Sequence, residues 1–248
     1  MKFFETFNEN GQGVVIDDTF KNLELLNTIP MKTCEFVKST YDDKHGHYLL
    51  PNWNDKTVLV GIGLNDITGV EPFGIELSRE IRIYDKNSGI ANFDIYPSKR
   101  DDIANRAKIY LFGWGGNEPT KHMTGLEIYN ENGKVIYNSD KKYLNVLGCG
   151  SDKAQTFNFM GQTIFFTLGV DGVEKVWTTA HIGSRGVSYE QMPGLWIEND
   201  SVRIAPIRAT AVYVSDEDPR DYFDYEYICN FSYHYGWLVG SIEERSNL

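Results

Sequence analysis

Short apolar or β-branched runs alternate with turn-forming clusters along this chain, and the 3.6-residue apolar period of an amphipathic helix is almost nowhere sustained. Thr33–Val37, Thr57–Leu64, Lys108–Phe112, Thr156–Phe159, Thr163–Leu168 and Val202–Val214 read as strands, because their β-branched and aromatic residues suit a pleated, half-buried surface. The glycines within Thr57–Leu64 mark close backbone approach or a bulge, and Pro206 confines its run to an edge or a bulge, since proline cannot donate to a ladder. Hairpins are expected at Ile81–Ile95, turning through Asp85–Gly89, and where Asp171-Gly172 links Thr163–Leu168 to Val176–Thr179. The clearest period comes late. Tyr225, Tyr227, Cys229, Phe231, Tyr233, Tyr235 and Trp237 fall on one face of a strand, with Glu226, Asn230, Ser232 and His234 on the other and Ile228 the exception. The one helix-like window, Ser98–Lys108, lacks a sustained apolar face and reads equally as a charged loop.

One hairpin is written twice. Phe7-Asn-Glu-Asn-Gly11 matches Tyr129-Asn-Glu-Asn-Gly133, and each copy runs on into an apolar stretch, an Asp/Asn-rich step, a basic-aromatic pair and a leucine, Leu23 or Leu144. Asn-Gly between β-type runs favours a type I′ turn, whose central residues need positive φ. A separation of about half the chain points to a duplication. The expected fold is therefore all-β: antiparallel β-sandwich-like units with little helix, two in tandem at 1–120 and 121–248, the boundary falling in the turn-rich Gly113–Thr120 stretch. A single large β-domain is the alternative, since 248 residues suffice for either.

Composition narrows the partners. Aromatic residues make up 14% of the chain, in keeping with strands, and the net charge of −11 argues against a surface that wraps nucleic acid. Met1-Lys-Phe-Phe4 is followed by Glu5-Thr-Phe-Asn-Glu-Asn-Gly11 where a signal peptide would carry its apolar core, so no signal peptide is expected, and no run is long enough for membrane insertion. Cys34, Cys149 and Cys229, an odd number without framework spacing, read as reduced thiols of a protein made in cytoplasm.

No nucleophile elbow, Cys-x-x-Cys pair, His-Glu-x-x-His helix or phosphate-cradling loop is present, so no catalytic residue is assigned. Ser151, Asp152 and Ser184 read as turn formers, and Asp216, Glu217, Asp218, Asp221 and Asp224 as a solvated acidic loop without calcium-loop spacing. Trp53, between asparagines, and Trp114, between glycines, stand in turn-rich settings where an indole can be displayed to a sugar ring, or can plug the end of a sandwich. His45 and His47, placed in a polar loop, form a His-x-His pair. On an extended segment its two rings face one way, so three chains could hold an axial metal, while exposed loop histidines are the plainer reading. No other cofactor is expected.

The repeated aromatic-Asn-x-x-Gly hairpin, Phe7-Asn-Glu-Asn-Gly-Gln12 and Gly125–Ser139, resembles that of a loose group of tailed-bacteriophage and prophage proteins, tail-tip or tail-fibre-associated components. The resemblance covers about 40 residues and brings no catalytic residues with it. It implies a virion tail protein made in the host cytoplasm, non-enzymatic, acting in assembly or host-surface attachment as a receptor-binding or adaptor component. Its implied partners are other tail proteins and a host surface glycan or outer-membrane receptor. Fibre components are often trimers, so the resemblance admits a homotrimer. Two alternatives of other kinds stand beside it: a polysaccharide depolymerase or esterase, and a stand-alone glycan-binding module.

Overall fold

A computed structural model describes residues 3–7, 13–17, 23–38, 46–51, 53, 56–85, 97–114, 126–130, 132–150, 153–168, 178–182, 185–213 and 236–242. In chain order the strands are β1 (Phe3–Phe7), β2 (Gly13–Asp17), β3 (Leu23–Pro30), β4 (Glu35–Lys38), β5 (Gly46–Leu49), β6 (Thr57–Gly63), β7 (Phe73–Leu77), β8 (Glu80–Asp85) and, after helix α1 (Pro97–Arg106), β9 (Lys108–Trp114). The second half supplies β10 (Glu127–Tyr129), β11 (Val135–Asn138), β12 (Asn145–Gly150), β13 (Gln155–Asn158), β14 (Gln162–Leu168), β15 (Thr178–Ile182), β16 (Arg185–Ile197), β17 (Ser201–Tyr213) and β18 (Gly236–Ile242). The fold is all-β and antiparallel.

Two sheets carry the core. A six-stranded sheet runs β12-β18-β14-β6-β9-β3, and an eight-stranded sheet runs β13-β17-β16-β7-β8-β5-β4 with β15 alongside β16. Strict alternation sends Ile62, Ile109, Leu111, Phe165, Trp237 and Val239 of the first against Phe73, Ile75, Ile81, Leu195, Val202 and Ile204 of the second, and all are buried. Both sheets mix strands from before and after residue 120, so a boundary at 120/121 does not divide them.

The six-stranded sheet also curls on itself. Its other face gathers Tyr110 and Phe112 of β9, Ile164 and Phe166 of β14, Ile242 and Leu238 of β18, Leu23 and Leu25 of β3, Leu59 of β6, and Leu144 just before β12. That set draws on every strand or its first neighbour, so this face is concave. The chain closes it at one end: Leu144 donates its N–H to the Leu23 carbonyl and Leu25 to the Lys142 carbonyl, Tyr143 bridges Glu24, and the next residue, Asn145, pairs with Ser241 of β18. Curvature this tight needs small residues among the large ones. A Cβ on Gly61 would lie 2.4 Å from Ile164 Cγ2 and 2.6 Å from Phe166 Cε1, and one on Gly240 would lie 2.4 Å from Leu144 Cδ1.

The two halves of the chain take matching places in this sheet. Read from either edge, the first half contributes edge β3, then β9, then central β6, and the second half edge β12, then β18, then central β14. Leu23 and Leu144, the closing residues of the two sequence copies, are the pair joined by a hydrogen bond where the edges meet. Each copy also forms a two-stranded antiparallel hairpin, β1-β2 and β10-β11, outside the main sheets.

Several expectations need correction. Thr178 and Thr179 belong to β15 in the eight-stranded sheet while β14 lies in the six-stranded one, so the runs flanking Asp171-Gly172 are not hairpin partners. Turn residues specify a reversal, not which sheet receives the chain afterwards. The second Asn-Gly turn is longer than a two-residue type I′. Gly133 donates to the Asn130 carbonyl and has φ +72°, and Asn130 Oδ1 accepts from the N–H groups of Asn132 and Lys134. That is a four-residue turn ending in a left-handed glycine, selected by the asparagine side chain. Residues 98–106 are helical: Pro97 opens α1 with its ready-set φ, and Ile103 and Ala104, with Ala107 just beyond, are buried. Lys99 donates to the Pro72 carbonyl at 2.9 Å, Arg106 to the carbonyls of Asp66 and Thr68 at 3.2 and 2.6 Å, and the Arg100 guanidinium lies 4.0 Å over the Phe36 ring. Polar anchors thus replace the missing apolar stripe. Pro206 is where expected, since the β13-β17 pairing stops at Ile204, and it faces Pro193 of β16 between the stretches where β16 pairs with β7 and β15. Tyr225–Tyr235, the acidic loop, Ser151, Asp152, Ser184, the Phe93–Ile95 limb and the first Asn-Gly turn lie outside the described residues.

Candidate functional site

Among the described residues, an aromatic side chain is displayed at the end of the six-stranded sheet where β9 stops and β3 and β6 begin. Trp114 closes β9 opposite Leu23, and the preceding Gly113 pairs with Thr57 of β6. Glycine is required at 113 because a Cβ would stand 1.8 Å from the Lys56 carbonyl, so the chain entering β6 crosses directly against β9. Trp53 lies four residues before Thr57, within about 14 Å of chain reach. Both indoles are exposed, Trp114 to 44% and Trp53 to 38%, as is Val58 in β6 at 43%. Burying an indole removes a large apolar area from water, so each indole left open offers a face fit for stacking.

On the other side of β3 sits the β10-β11 hairpin, held by a polar network. Lys141 Nζ donates to Glu24 Oε1 at 2.6 Å, and Glu24 is buried. Asn138, also buried, donates from Nδ2 to Glu127 Oε1 at 2.8 Å and from its backbone to Tyr143 Oη at 2.9 Å, while Asp140 N–H donates to Asn138 Oδ1 at 2.7 Å. Tyr129 Oη donates to the second Glu127 oxygen. Tyr143 stacks on Tyr137, with centroids 5.2 Å apart at 25°. Burial pushes the Tyr143 phenol up to about 12, the Asn138 N–H pulls the other way, and the negative charge of Glu24 and Glu127 and the Tyr137 phenol add to the rise. Tyr143 is therefore a neutral hydroxyl at physiological pH. Both carboxylates are engaged by donors, which fixes the hairpin and leaves Tyr129 and Leu126 exposed to 47% and 50%.

The structure puts Trp114 at the end of β9, leaves Trp53 four residues ahead of β6 in the chain, and puts His47 in the other sheet. His47 is not in a loop: it lies in β5, opposite Val37 of β4, half-buried, with Nε2 3.9 Å from Glu80 Oε2. Arg82 donates to that carboxylate at 2.9 Å, and this hydrogen bond, with the positive charge of His47 and Arg82, holds Glu80 below the usual carboxylate range against a smaller opposing effect of burial. His45 lies outside the described residues, among which no three His, Cys, Asp or Glu side chains group to hold a metal. Glu24, Glu127, Asn138, Tyr129 and Tyr143 escaped sequence reasoning. Their one signal was a carboxylate, Glu24, inside the apolar run Leu23-Glu-Leu-Leu26. Comparison of the chain with protein-family models, curated proteins and solved structures finds no match.

Proposed function

We propose that this protein is a non-enzymatic bacteriophage tail component that attaches the virion to its host, binding a surface glycan through the end of the six-stranded sheet. The observation that carries the binding reading is the exposure of Trp114, where β9 ends, and of Trp53, four residues before β6. Sugar rings offer apolar faces that stack on exposed indoles, and a preorganised surface loses little conformational freedom on binding. The tail assignment rests on the repeated hairpin motif. In its adaptor form the same protein engages a neighbouring tail protein.

The test is incubation of the purified protein with host cells and with extracted surface polysaccharide, scoring adsorption and cleavage separately. Adsorption that Trp114→Ala reduces by at least about tenfold, with folding intact by circular dichroism, supports the reading; a tenfold loss corresponds to about 1.4 kcal/mol. Release of oligosaccharide or acetate overturns the non-enzymatic claim. Adsorption to neither material overturns glycan attachment and leaves the adaptor role.

A further inference from the structure

The turn of the β10-β11 hairpin sets an asparagine amide next to an unshielded main-chain nitrogen. Among the described residues, Asn132 is the asparagine followed by glycine; it is exposed, and its side-chain amide makes no hydrogen bond. A Cβ placed on Gly133 would have nothing within 4 Å, so no side chain stands between that amide and the Gly133 nitrogen. Other asparagines are held. Asn27 Oδ1 accepts from Thr28 N–H at 2.8 Å, Asn65 Oδ1 accepts from Thr163 N–H at 2.8 Å, and the buried Asn138 is engaged through both Oδ1 and Nδ2. Each of these also precedes a residue that carries a side chain, Thr28, Asp66 or Ser139. The turn itself is held by three hydrogen bonds: Gly133 N–H donates to the Asn130 carbonyl at 3.0 Å, and the N–H groups of Asn132 and Lys134 donate to Asn130 Oδ1 at 3.0 and 2.9 Å. A nitrogen donating to a carbonyl keeps its proton and is no nucleophile. An exposed turn, however, opens at little cost in free energy, and opening frees it.

We propose that Asn132 is a site of self-modification, converting to aspartate and isoaspartate, and that the Asn130 side chain sets the rate by holding the turn closed. In the opened turn the Gly133 nitrogen gives its proton to a solvent base and attacks Asn132 Cγ. The new C–N bond closes a succinimide ring, the bond from Cγ to the amide nitrogen breaks, and ammonia leaves with a proton from water. Water then adds to either ring carbonyl: breaking the ring bond to Cγ gives aspartate, and breaking the bond to the main-chain carbonyl gives isoaspartate, with the Gly133 nitrogen left on Cγ. Either product adds a negative charge beside Lys134 to a chain of net charge −11. Isoaspartate also lengthens the main chain by a carbon atom between Asn130 and Lys134, so the Lys134 N–H no longer falls on Asn130 Oδ1 and the hairpin loses that pin. The inference is independent of the attachment reading and stands if that reading fails.

The experiment ages the full chain in mildly alkaline buffer at body temperature and follows the tryptic peptide His122–Lys134 by liquid chromatography and mass spectrometry, which separate its asparagine, aspartate and isoaspartate forms. The expected result is steady conversion with isoaspartate in excess, slower than in the same chain unfolded by urea, and faster as pH rises because the nitrogen must lose its proton. Asn130→Ala removes the acceptor of two N–H groups and is expected to speed conversion at least about fivefold, the effect of losing one net hydrogen bond. Asn130→Asp keeps an acceptor oxygen there and is expected to keep the wild-type rate, with both variants giving the wild-type circular dichroism spectrum. No conversion over a time in which the urea-unfolded chain converts overturns the proposal, as does aspartate without isoaspartate. So does a rate that neither folding nor Asn130→Ala alters, which removes the turn from control of the reaction.

Discussion

Replacing Gly61 by Ala probes the concave packing directly. The added methyl meets Ile164 Cγ2 at 2.4 Å and two atoms of the Phe166 ring at 2.6 and 2.9 Å, each too close for van der Waals contact, and both side chains are fully buried. Extra atoms in a packed core cost about 1–3 kcal/mol, while loss of glycine freedom in the unfolded chain returns about 0.4–1 kcal/mol, so a net loss of about 1–2 kcal/mol is expected. For a domain of this size that lowers Tm by about 2–8 °C. Urea unfolding followed by tryptophan fluorescence supplies the free energies for a double-mutant cycle. Phe166→Leu removes the ring atoms that the new methyl strikes, so the double variant should be more stable than the sum of the single losses by about 1 kcal/mol. A Gly61→Ala loss below about 0.3 kcal/mol, or strict additivity with Phe166→Leu, refutes the packing of the curled sheet around that glycine.

Three other perturbations test the hairpin. Tyr143 is raised from 10.0 to about 12, so its contribution is fully present below pH 10 and is lost as pH rises towards 12; Tyr143→Phe should flatten that limb of a Tm–pH profile, and an unaltered slope counts against the buried phenol. Lys141→Met leaves the buried Glu24 carboxylate without its cation and should destabilise by about 1–3 kcal/mol, at the low end because Lys141 is 44% exposed, with Glu24→Gln in the same background restoring part of the loss in urea melts. Gly133 has φ +72°, so Gly133→Ala should cost about 1 kcal/mol and Gly133→Asn much less, a ranking that thermal melts can reverse.

Local pattern announced the strands well, because period and β-branching act over a few residues. Thr57–Leu64, Lys108–Phe112 and Thr163–Leu168 each fall on a strand, β6, β9 and β14. Sheet membership was not legible. Nothing in the Val176–Thr179 run says that Thr178 and Thr179 join the sheet opposite Thr163–Leu168, because that choice depends on core packing between residues far apart in the chain. Helix α1 was only half visible because its stability rests on Lys99, Arg100 and Arg106 reaching carbonyls and a ring elsewhere. At the candidate site the glycine and asparagine context left Trp53 and Trp114 as either displayed or end-plugging residues, and only the structure gives their exposure of 38% and 44%. The network around Glu24, Asn138 and Tyr143 joins residues up to 117 positions apart, and no spacing rule could have assembled it.

The repeated motif suggested two separate units, and the strand order combines strands of the two halves in both sheets. In the six-stranded sheet the halves meet at β6-β14, where Gly61 and Gly63 lie opposite Phe166 and Ile164, and again where Leu144 binds Leu23. Each half thus ends in open backbone on β6 or β14 and in half of the concave cluster. Phe166 of the second half fills the space that Gly61 of the first half leaves, so neither half packs alone. The expectation is that fragments 1–120 and 121–248 are each aggregated or unfolded when expressed singly, and that co-expression yields a soluble complex with the circular dichroism and cooperative melt of the intact chain. Two fragments that melt cooperatively in isolation would show that the halves are separate domains and that the interleaved order is wrong.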